Sequence, residues 1–294
     1  MSFLLYYLIL KPISFLPFWI LYGLSDFFYL IFYKILGYRT RVVKINLTNS
    51  FPDKSPKEIK EIQSKFYHHF CDLIVESIKI FSLSEEEALK RMKVVNPELP
   101  NSYYEQGKNI MIVGGHYGNW EYVVFCDLQL KHKVAAPYSK LNNRFFENKM
   151  KQSRSKFGFK MFTTKQIKDF FNNPPKIPFM VIFGSDQSPS SSTNAYWTRF
   201  LNQDTAVLFG TEKYSKEYDL PVLFGGIHKV KRGRYEFYFE LLEDNPKATK
   251  YGQITEQFTK KIEQQINEQP EYWLWTHKRW KRKKPEIVDR RISD

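Results

Sequence analysis

A histidine and a carboxylate five positions apart, His116 and Glu121, are the residues in this chain best suited to catalysis. They lie in the run Gly-Gly-His-Tyr-Gly-Asn-Trp-Glu, which directly follows the apolar segment 109–113. A histidine with a pKa near neutral can take a proton from an alcohol, and a carboxylate on its other ring nitrogen fixes the tautomer and stabilises the cation that forms. The pair therefore indicates general-base catalysis with His116 as the base.

The spacing restricts where His116 can lie. In a regular helix five residues turn through about 140°, so side chains at these two positions would not share a face. We therefore expect His116 in a turn or at a helix cap, where the flanking Gly114 and Gly115 let the backbone approach a substrate. Six histidines and 31 acidic residues also produce such a pair readily by chance. On spacing alone, a histidine and a glutamate that only complete a helix start fit equally well.

The elements that must position this pair are typical of an α/β domain. A short strand at 109–113 leads through a tight turn into a helical stretch that reaches Cys126. A helical pattern over 55–92 begins at a capping box and restarts at Ser84. Further strands are expected at 133–137, 178–184, 221–228 and 234–242, and further helices at 142–157, 164–172, 205–219 and 250–268. The alternation predicts a mixed sheet flanked by helices.

Residues 1–36 differ from the rest of the chain, because they are strongly apolar and carry three charged side chains. A helix over 12–33 would be long enough to cross about 30 Å of hydrocarbon. Asp26 at depth would cost roughly 2.5–3.5 kcal/mol, and Pro17 would interrupt a straight helix, so a kinked or partly submerged helix fits equally well. A buried core helix is the alternative, whereas a cleaved signal peptide lacks its small-residue cleavage site.

Basic residues follow this segment directly: Lys34, Arg39, Arg41 and Lys44. The positive-inside tendency places the rest of the chain on the cytoplasmic face of the inner membrane. Only two cysteines occur, which favours a reducing compartment. We therefore divide the chain into a membrane-anchoring segment, 1–36, and an α/β domain with a basic carboxyl-terminal tail, 37–294.

The charge of the chain points to an anionic partner, since 45 Lys and Arg against 31 Asp and Glu leave a formal +14. An apolar content of 43% excludes a disordered chain. Six of the positive charges lie in residues 278–284, where a nucleic-acid patch is one alternative. Because no nucleic-acid motif accompanies them, we expect an anionic membrane surface and no nucleic acid.

A second histidine cluster has helical spacing: His68, His69, Asp72 and Glu76. No second group completes a tetrahedral metal site, so we expect neither a metal nor another cofactor.

The sequence around His116 resembles the His-x4-Asp/Glu signature of the glycerolipid acyltransferases, in the Gly-Asn-Trp-Glu form of bacterial lipid A late acyltransferases. Three further segments resemble that family in order and spacing: Asn-Leu-Thr-Asn-Ser-Phe-Pro at 46–52, Ser-Asp-Gln at 185–187, and Pro-Glu-Tyr-Trp-Leu-Trp-Thr-His-Lys-Arg-Trp at 270–280. The chain departs from it at Phe200-Leu201-Asn202, where relatives have Phe-Phe-Gly, and at Thr276-His277-Lys278. These departures leave the acyl chain and the acceptor open.

The resemblance implies an O-acyltransferase with an α/β fold. It would move a fatty acyl chain from a thioester, of acyl carrier protein or of coenzyme A, to a hydroxyl of a lipid A precursor. His116 would remove the hydroxyl proton and Glu121 would orient and compensate the imidazole, with no covalent intermediate. A lysophospholipid or an aminoacyl lipid is the alternative acceptor, a hydrolase is a further reading, and a membrane-tethered nucleic-acid binder is the remote one.

The same resemblance supplies the expected substrate-binding residues: Arg154, Asn119, Asp186, Gln187 and Gly115. Arg154 is expected to stabilise the oxyanion or to grip a phosphate of the acceptor, with Arg144 and the backbone amides of the glycine pair as competitors. A solvated helix face is the alternative for both arginines. Asp186 is expected to organise the site through hydrogen bonds.

Overall fold

A computed structural model of the protein describes residues 2–192 and 195–284, so the last ten residues of the predicted domain lie outside the described residues. The strands of the main sheet are β1 (Met92–Val94), β2 (Ile110–Gly114), β3 (Lys133–Tyr138), β4 (Lys160–Thr163), β5 (Phe179–Gly184), β8 (Val222–Lys231) and β9 (Arg234–Glu243), and those of a separate hairpin are β6 (Tyr196–Phe200) and β7 (Gln203–Val207). Within the described residues the main sheet has the order β1-β9-β8-β2-β5-β3-β4. This confirms the predicted α/β fold with a mixed sheet.

Strand β2 lies at the centre of the sheet and positions the candidate catalytic loop, residues 114–121. It runs parallel to β5 on one side and to β8 on the other, whereas β9 is antiparallel to β8. Central parallel strands are covered on both faces and read as continuous apolar runs, and residues 110–113 are fully buried. The chain leaves β2 toward one edge of the sheet and later returns to its other side at β8. Ligands bind at such switches in strand order, beside the carboxyl ends of the strands.

The helices are α1 (Ser2–Leu5), α2 (Lys11–Phe15), α3 (Phe18–Tyr29), α4 (Thr40–Ser50), α5 (Pro56–Lys79), α6 (Glu85–Arg91), α7 (Glu98–Glu105), α8 (Arg144–Ser155), α9 (Ile167–Asn172), α10 (Gly210–Tyr218) and α11 (Gln253–Glu268). π-Helical segments cover Tyr6–Leu10 and Leu30–Ile35, and a 3-10 helix covers Trp120–Leu128. Both predicted helix starts are confirmed. Ser55 and Glu58 form a reciprocal capping box at α5, and Ser84 accepts from the backbone of Glu87 at α6.

The helix predicted over 205–219 is wrong in its first part. Residues 203–207 are strand β7, and α10 begins only at Gly210. Leu201 and Asn202 have φ of 48° and 63°, so they form a two-residue turn that pairs β6 with β7. Two positive φ angles in succession give a hairpin turn whose twist matches that of its strands. The strand then continues through Thr205 and Val207, whose branched side chains favour extended backbone.

The amino-terminal segment is kinked, as the prolines predict. Leu16 and Pro17 are extended, with ψ of 144° and 153°, and separate the continuous helices 2–15 and 18–35. By length and composition Phe18–Ile35 could cross a membrane, and 17% of its residues are buried. It is therefore not a core helix. Its large exposed apolar side chains, with those of the preceding helix, include Phe3, Leu8, Phe15, Trp19, Phe27 and Leu30.

Polar contacts hold α3 along α5. The Ser25 hydroxyl donates to Asp72 at 2.7 Å, and an oxygen of Asp26 lies 2.6 Å from the guanidinium of Arg232. Asp26, which counted against a membrane span, is thus paired with a cation of the α/β domain. This pairing places one face of the segment against protein and leaves the other face apolar and open.

Candidate active site

His116 and Asp186 meet because they follow neighbouring parallel strands. Gly114 at the end of β2 is in register with Gly184 at the end of β5, and each functional side chain comes two residues later. The Nδ1 atom of His116 lies 2.6 Å from Oδ1 of Asp186, and the His116 backbone N–H donates to Oδ2 at 2.7 Å. One carboxylate therefore holds both the ring and the backbone of the histidine.

Glycines let the loop lie this close to the sheet. A Cβ atom at position 184 would lie 3.0 Å from Cε1 of His116, so the imidazole rests directly over this strand end. Gly118 has a φ of 56°, and a Cβ there would lie 2.6 Å from Cγ2 of Ile227. Both its backbone conformation and its close packing require glycine. The loop is thereby shaped by contacts on two sides.

Asp186 is buried and ionised. Burial opposes its charge, but the charge and hydrogen bonds of His116, with a bond from Trp273 Nε1 at 2.7 Å, lower the pKa of Asp186 to about 2. Burial also opposes a charge on His116, but Asp186 and the charge of Glu121 outweigh it and raise the pKa of His116 above its usual value. Since an ionised carboxylate only accepts, Nδ1 carries the proton and Nε2 is the basic end of the ring. The amide Nε2 of Gln187 lies 3.2 Å from it.

Glu121 pairs with Arg154, and this corrects the expectation that Glu121 occupies the second nitrogen of His116. Glu121 lies in the first turn of the 3-10 helix, and its side chain meets Arg154, which belongs to α8. The carboxylate of Glu121 therefore influences the imidazole through its charge, and its hydrogen bonding serves the arginine. Arg144, the competing arginine, is exposed at the start of α8.

Asn119, which the sequence predicts as a substrate-binding residue, uses both ends of its amide within the protein. Its side chain is fully buried, its Nδ2 donates to Oε2 of Glu76 at 2.6 Å, and its Oδ1 caps the 3-10 helix at the N–H of Tyr122. Glu76 also accepts from the hydroxyls of Tyr22 and Tyr235. Both polar ends of the amide are thus occupied behind the catalytic loop.

The carboxyl-terminal motif holds the catalytic loop from the other side. Gly118 N donates to the carbonyl of Tyr272 at 3.0 Å, and Leu274 N donates to the carbonyl of His116 at 3.2 Å. The Asn46 side chain in turn donates to the carbonyl of Trp275 at 2.9 Å. The segments 46–52, 114–121, 185–187 and 270–280 therefore converge on one site. Trp273 lies within this motif, and its indole N–H supports Asp186, a role that no local sequence signal indicates.

A cavity of about 230 Å³ opens beside the histidine. Its polar lining includes His116, Glu121 and Arg154. The apolar part of its wall includes Val124, Phe159, Met161, Ile182, Phe183 and Phe237. A mostly apolar cavity with a few converging polar groups suits a flexible hydrocarbon chain that carries one reactive polar end.

A family model described as bacterial lipid A biosynthesis acyltransferase matches residues 1–282. The chain belongs to this family. No curated protein matches the chain significantly. The protein is thus an acyltransferase of lipid A biosynthesis, and the matched range contains both the apolar amino-terminal segment and the carboxyl-terminal motif.

The second histidine cluster of this acyltransferase is part of its polar interior. His69 lies 3.2 Å from the Gly118 carbonyl through Nε2 and 3.2 Å from Lys229 Nζ through Nδ1. Burial lowers the pKa of His69, so the ring is neutral. Asp72 pairs with Arg232. Across residues 2–192 and 195–284, no group of three His, Cys, Asp or Glu residues is arranged to hold a metal ion.

The basic segment 278–284 is only partly a solvated tail. Arg279 is buried and donates to the carbonyl of Ala206 at 2.7 Å. Arg282 donates to the carbonyls of Pro189 and Ser190. The exposed cations of the segment are Lys278, Lys281, Lys283 and Lys284. Two of the six charges therefore bind the enzyme's own backbone.

Proposed function

We propose that this acyltransferase moves a fatty acyl chain from an acyl thioester, with acyl carrier protein as the donor, to a hydroxyl of a lipid A precursor. One observation carries the proposal. The basic nitrogen of His116 is fixed by an ionised Asp186 at the rim of an apolar cavity. An apolar cavity holds the acyl chain, and a positioned base activates the acceptor.

The reaction follows from this geometry. Nε2 of His116 takes the proton of the acceptor hydroxyl, and Asp186 stabilises the imidazolium that forms. The acceptor oxygen attacks the thioester carbonyl, a C–O bond forms, and the C–S bond breaks. The leaving thiolate then takes the proton back from the imidazolium. No covalent enzyme intermediate and no metal is needed.

Arg154 and Glu121 act together in this proposal. Glu121 contributes a negative charge that favours the imidazolium, and it holds the guanidinium of Arg154 at the cavity wall. A fixed cation at the reacting carbonyl stabilises the oxyanion that develops there. Gly115 and Gln187 border the imidazole and complete the acceptor side.

The membrane and the carrier protein are assigned from the surface. We place the exposed apolar face of 1–36 in the cytoplasmic leaflet of the inner membrane, with residues 37–294 as the catalytic domain on the cytoplasmic side. Exposed basic residues continue from this segment: Lys34, Arg39, Arg41 and Lys44. They suit anionic headgroups and an acidic carrier protein, because complementary charge steers such partners.

Lipid mass spectra test the proposal. Cells that carry His116→Ala or Glu121→Ala should accumulate a lipid A species that lacks one acyl chain, with normal amounts of folded enzyme. His228→Ala, which alters an exposed histidine on β8, serves as the matched control and should leave lipid A unchanged. Full acylation in either site variant would overturn the mechanism, and unchanged lipid A in cells without the gene would overturn the acceptor.

A further inference from the structure

A second cavity, of about 310 Å³, lies between the amino-terminal segment and α8. We call it the lysine pocket. Its described wall comprises Tyr6, Lys11, Phe81, Lys149, Gln152, Ser153 and Lys156, three cations and no acidic residue. Like charges that share a cavity repel one another unless an anion joins them. The wall is therefore chemically matched to an anion.

The lysines are held in place by neutral groups. Lys149 Nζ lies 3.1 Å from the hydroxyl of Tyr7 and 5.0 Å from the ring centre of Tyr6. Lys156 Nζ donates to the carbonyls of Ile80 and Leu83, which leaves one of its three N–H groups for a ligand. Within residues 2–192 and 195–284, no ion pair neutralises any of the three lysines.

The lysine pocket adjoins the catalytic cavity. Phe81 and Ser153 line both the lysine pocket and a small intermediate cavity of about 180 Å³. Glu121 and Arg154 line that intermediate cavity and also the catalytic one. The three cavities are therefore neighbours separated by shared side chains, and the lysines lie on the same side of the site as the catalytic cavity's Glu121 and Arg154.

The position of the lysine pocket also favours a lipid over a free ion. Tyr6 and Lys11 belong to the amino-terminal segment, and the neighbouring Leu8 and Phe15 are 69% and 65% exposed. A lipid headgroup in the lysine pocket would contact the aromatic side chains of its wall, and the hydrocarbon chains of that lipid would lie along the exposed apolar surface outside. The guanidinium of Arg154, the expected phosphate ligand, is held by Glu121. The three lysines of this pocket carry no such ion pair within residues 2–192 and 195–284.

We propose that the lysine pocket binds a phosphate group of the lipid acceptor and thereby positions the acceptor hydroxyl at His116. This inference rests on the proposed function and names the acceptor more closely, as a phosphorylated lipid. A phosphate dianion neutralises most of the charge of the three lysines and accepts hydrogen bonds from each of them.

Lysine footprinting tests the binding without turnover. The inactive His116→Ala protein in detergent micelles is reductively methylated, and each lysine is quantified by peptide mass spectrometry. A phosphorylated lipid A precursor should protect Lys11 and Lys149 severalfold, while the same lipid without phosphate should not. The exposed Lys165 provides the internal control. Equal protection by inorganic phosphate at the same concentration would overturn the lipid assignment, and absence of protection would overturn the site.

Kinetics provide the second test. Lys149→Gln should raise KM for the phosphorylated acceptor about tenfold with kcat little changed, and Lys149→Arg should restore KM. Lys165→Gln is the matched control and should behave like the parent enzyme. An unchanged KM in Lys149→Gln would contradict the proposal. Unchanged lipid A in cells without the gene would instead overturn the proposed function, while the footprint would still report whether the lysines bind phosphate.

Discussion

Asp186 sets the proton affinity of His116. The base must be neutral to accept a proton, yet the carboxylate raises the pKa of His116 above its usual value. The rate constant kcat/KM should therefore increase with pH through that raised pKa, because the neutral form gains population. In the proposed mechanism the same carboxylate also stabilises the imidazolium, so one interaction both lowers the population of the neutral base and favours proton transfer to it.

Replacing this carboxylate separates the two effects. Asp186→Asn should move the acid limb of the pH profile to lower pH, because the neutral amide no longer favours the cation. It should also lower kcat/KM at least about a hundredfold, since the amide does not hold the reactive tautomer. Profiles of kcat/KM from about pH 5 to about pH 9 check both effects.

The control for this substitution is Asp53→Asn, which changes an exposed carboxylate in the same way. It should leave the profile of the parent enzyme intact. An acid limb at the same pH in Asp186→Asn would show that another group controls the protonation of the base.

At this scale the sequence predicts His116 as the base, and it does not predict that Asp186 contacts its imidazole. His116 was identifiable because it follows an apolar strand and lies among glycines, which are local signals. Its partner depends on the register of β2 against β5, and the two side chains lie 70 positions apart. Spacing within one loop therefore favoured Glu121. The resemblance to the family did mark Asp186 as part of the site.

Among the elements, α5 connects the amino-terminal segment to the catalytic loop. Its Asp72 and Glu76 accept from Ser25 and Tyr22 of α3 on one side. Glu76 accepts from Asn119 of the catalytic loop on the other. Burial, together with the charge of Asp72, raises the pKa of Glu76 to about 7. Helix α5 thus carries a buried polar layer between the amino-terminal segment and the catalytic loop.

Glu76→Ala should disrupt this layer. It leaves the donors of Asn119, Tyr22 and Tyr235 without their shared acceptor, and each buried unpaired donor costs about 1–3 kcal/mol. We expect the free energy of unfolding to fall by about 3–5 kcal/mol, as measured by urea titration with enzyme activity followed in parallel.

The exposed Glu61 on the same helix offers a matched control, Glu61→Ala. Its effect on unfolding should stay within about 0.5 kcal/mol. Equal stability of the two variants would mean that Glu76 does not support the loop.

Element boundaries were predicted well where the signals are local. The capping residues of α5 and α6 and the apolar runs of β2 and β5 are each readable within a few positions. The β6–β7 hairpin was missed because its turn uses Leu201 and Asn202 in place of a glycine. Asn adopts positive φ more readily than most residues, but a preceding Leu gives no such signal.

Over the whole molecule, apolar and basic surfaces adjoin one another. The open face of 1–36 carries large exposed side chains, and the exposed cations of 34–44 follow it along the chain. A surface of this kind binds an anionic bilayer through buried apolar area and electrostatic attraction together.

Charges placed on the apolar face should weaken membrane binding. Leu8 and Trp19 are 69% and 76% exposed, so glutamate at these positions leaves the core intact. Each substitution removes about 1.5–3 kcal/mol of apolar burial in lipid, which predicts at least tenfold weaker binding. Co-sedimentation of the double variant Leu8→Glu/Trp19→Glu with phosphatidylglycerol vesicles measures it.

Ile177→Glu is the control, because Ile177 is similarly apolar and 48% exposed but precedes β5 in the α/β domain. It should sediment like the parent protein. Undiminished sedimentation of the double variant would rule out this face as the membrane contact.

The backbone hydrogen bonds that hold the catalytic loop form with residues that are synthesised much later than the loop itself. The carbonyl of His116 and the N–H of Gly118 are satisfied by Leu274 and Tyr272, roughly 150 residues later. At about 5–20 residues per second, a ribosome needs on the order of 10–30 s to supply these partners. Residues 2–35 are synthesised before the loop, and the loop can be secured only after residue 274 has been made. The apolar helices are therefore exposed to their surroundings well before the catalytic loop is in place.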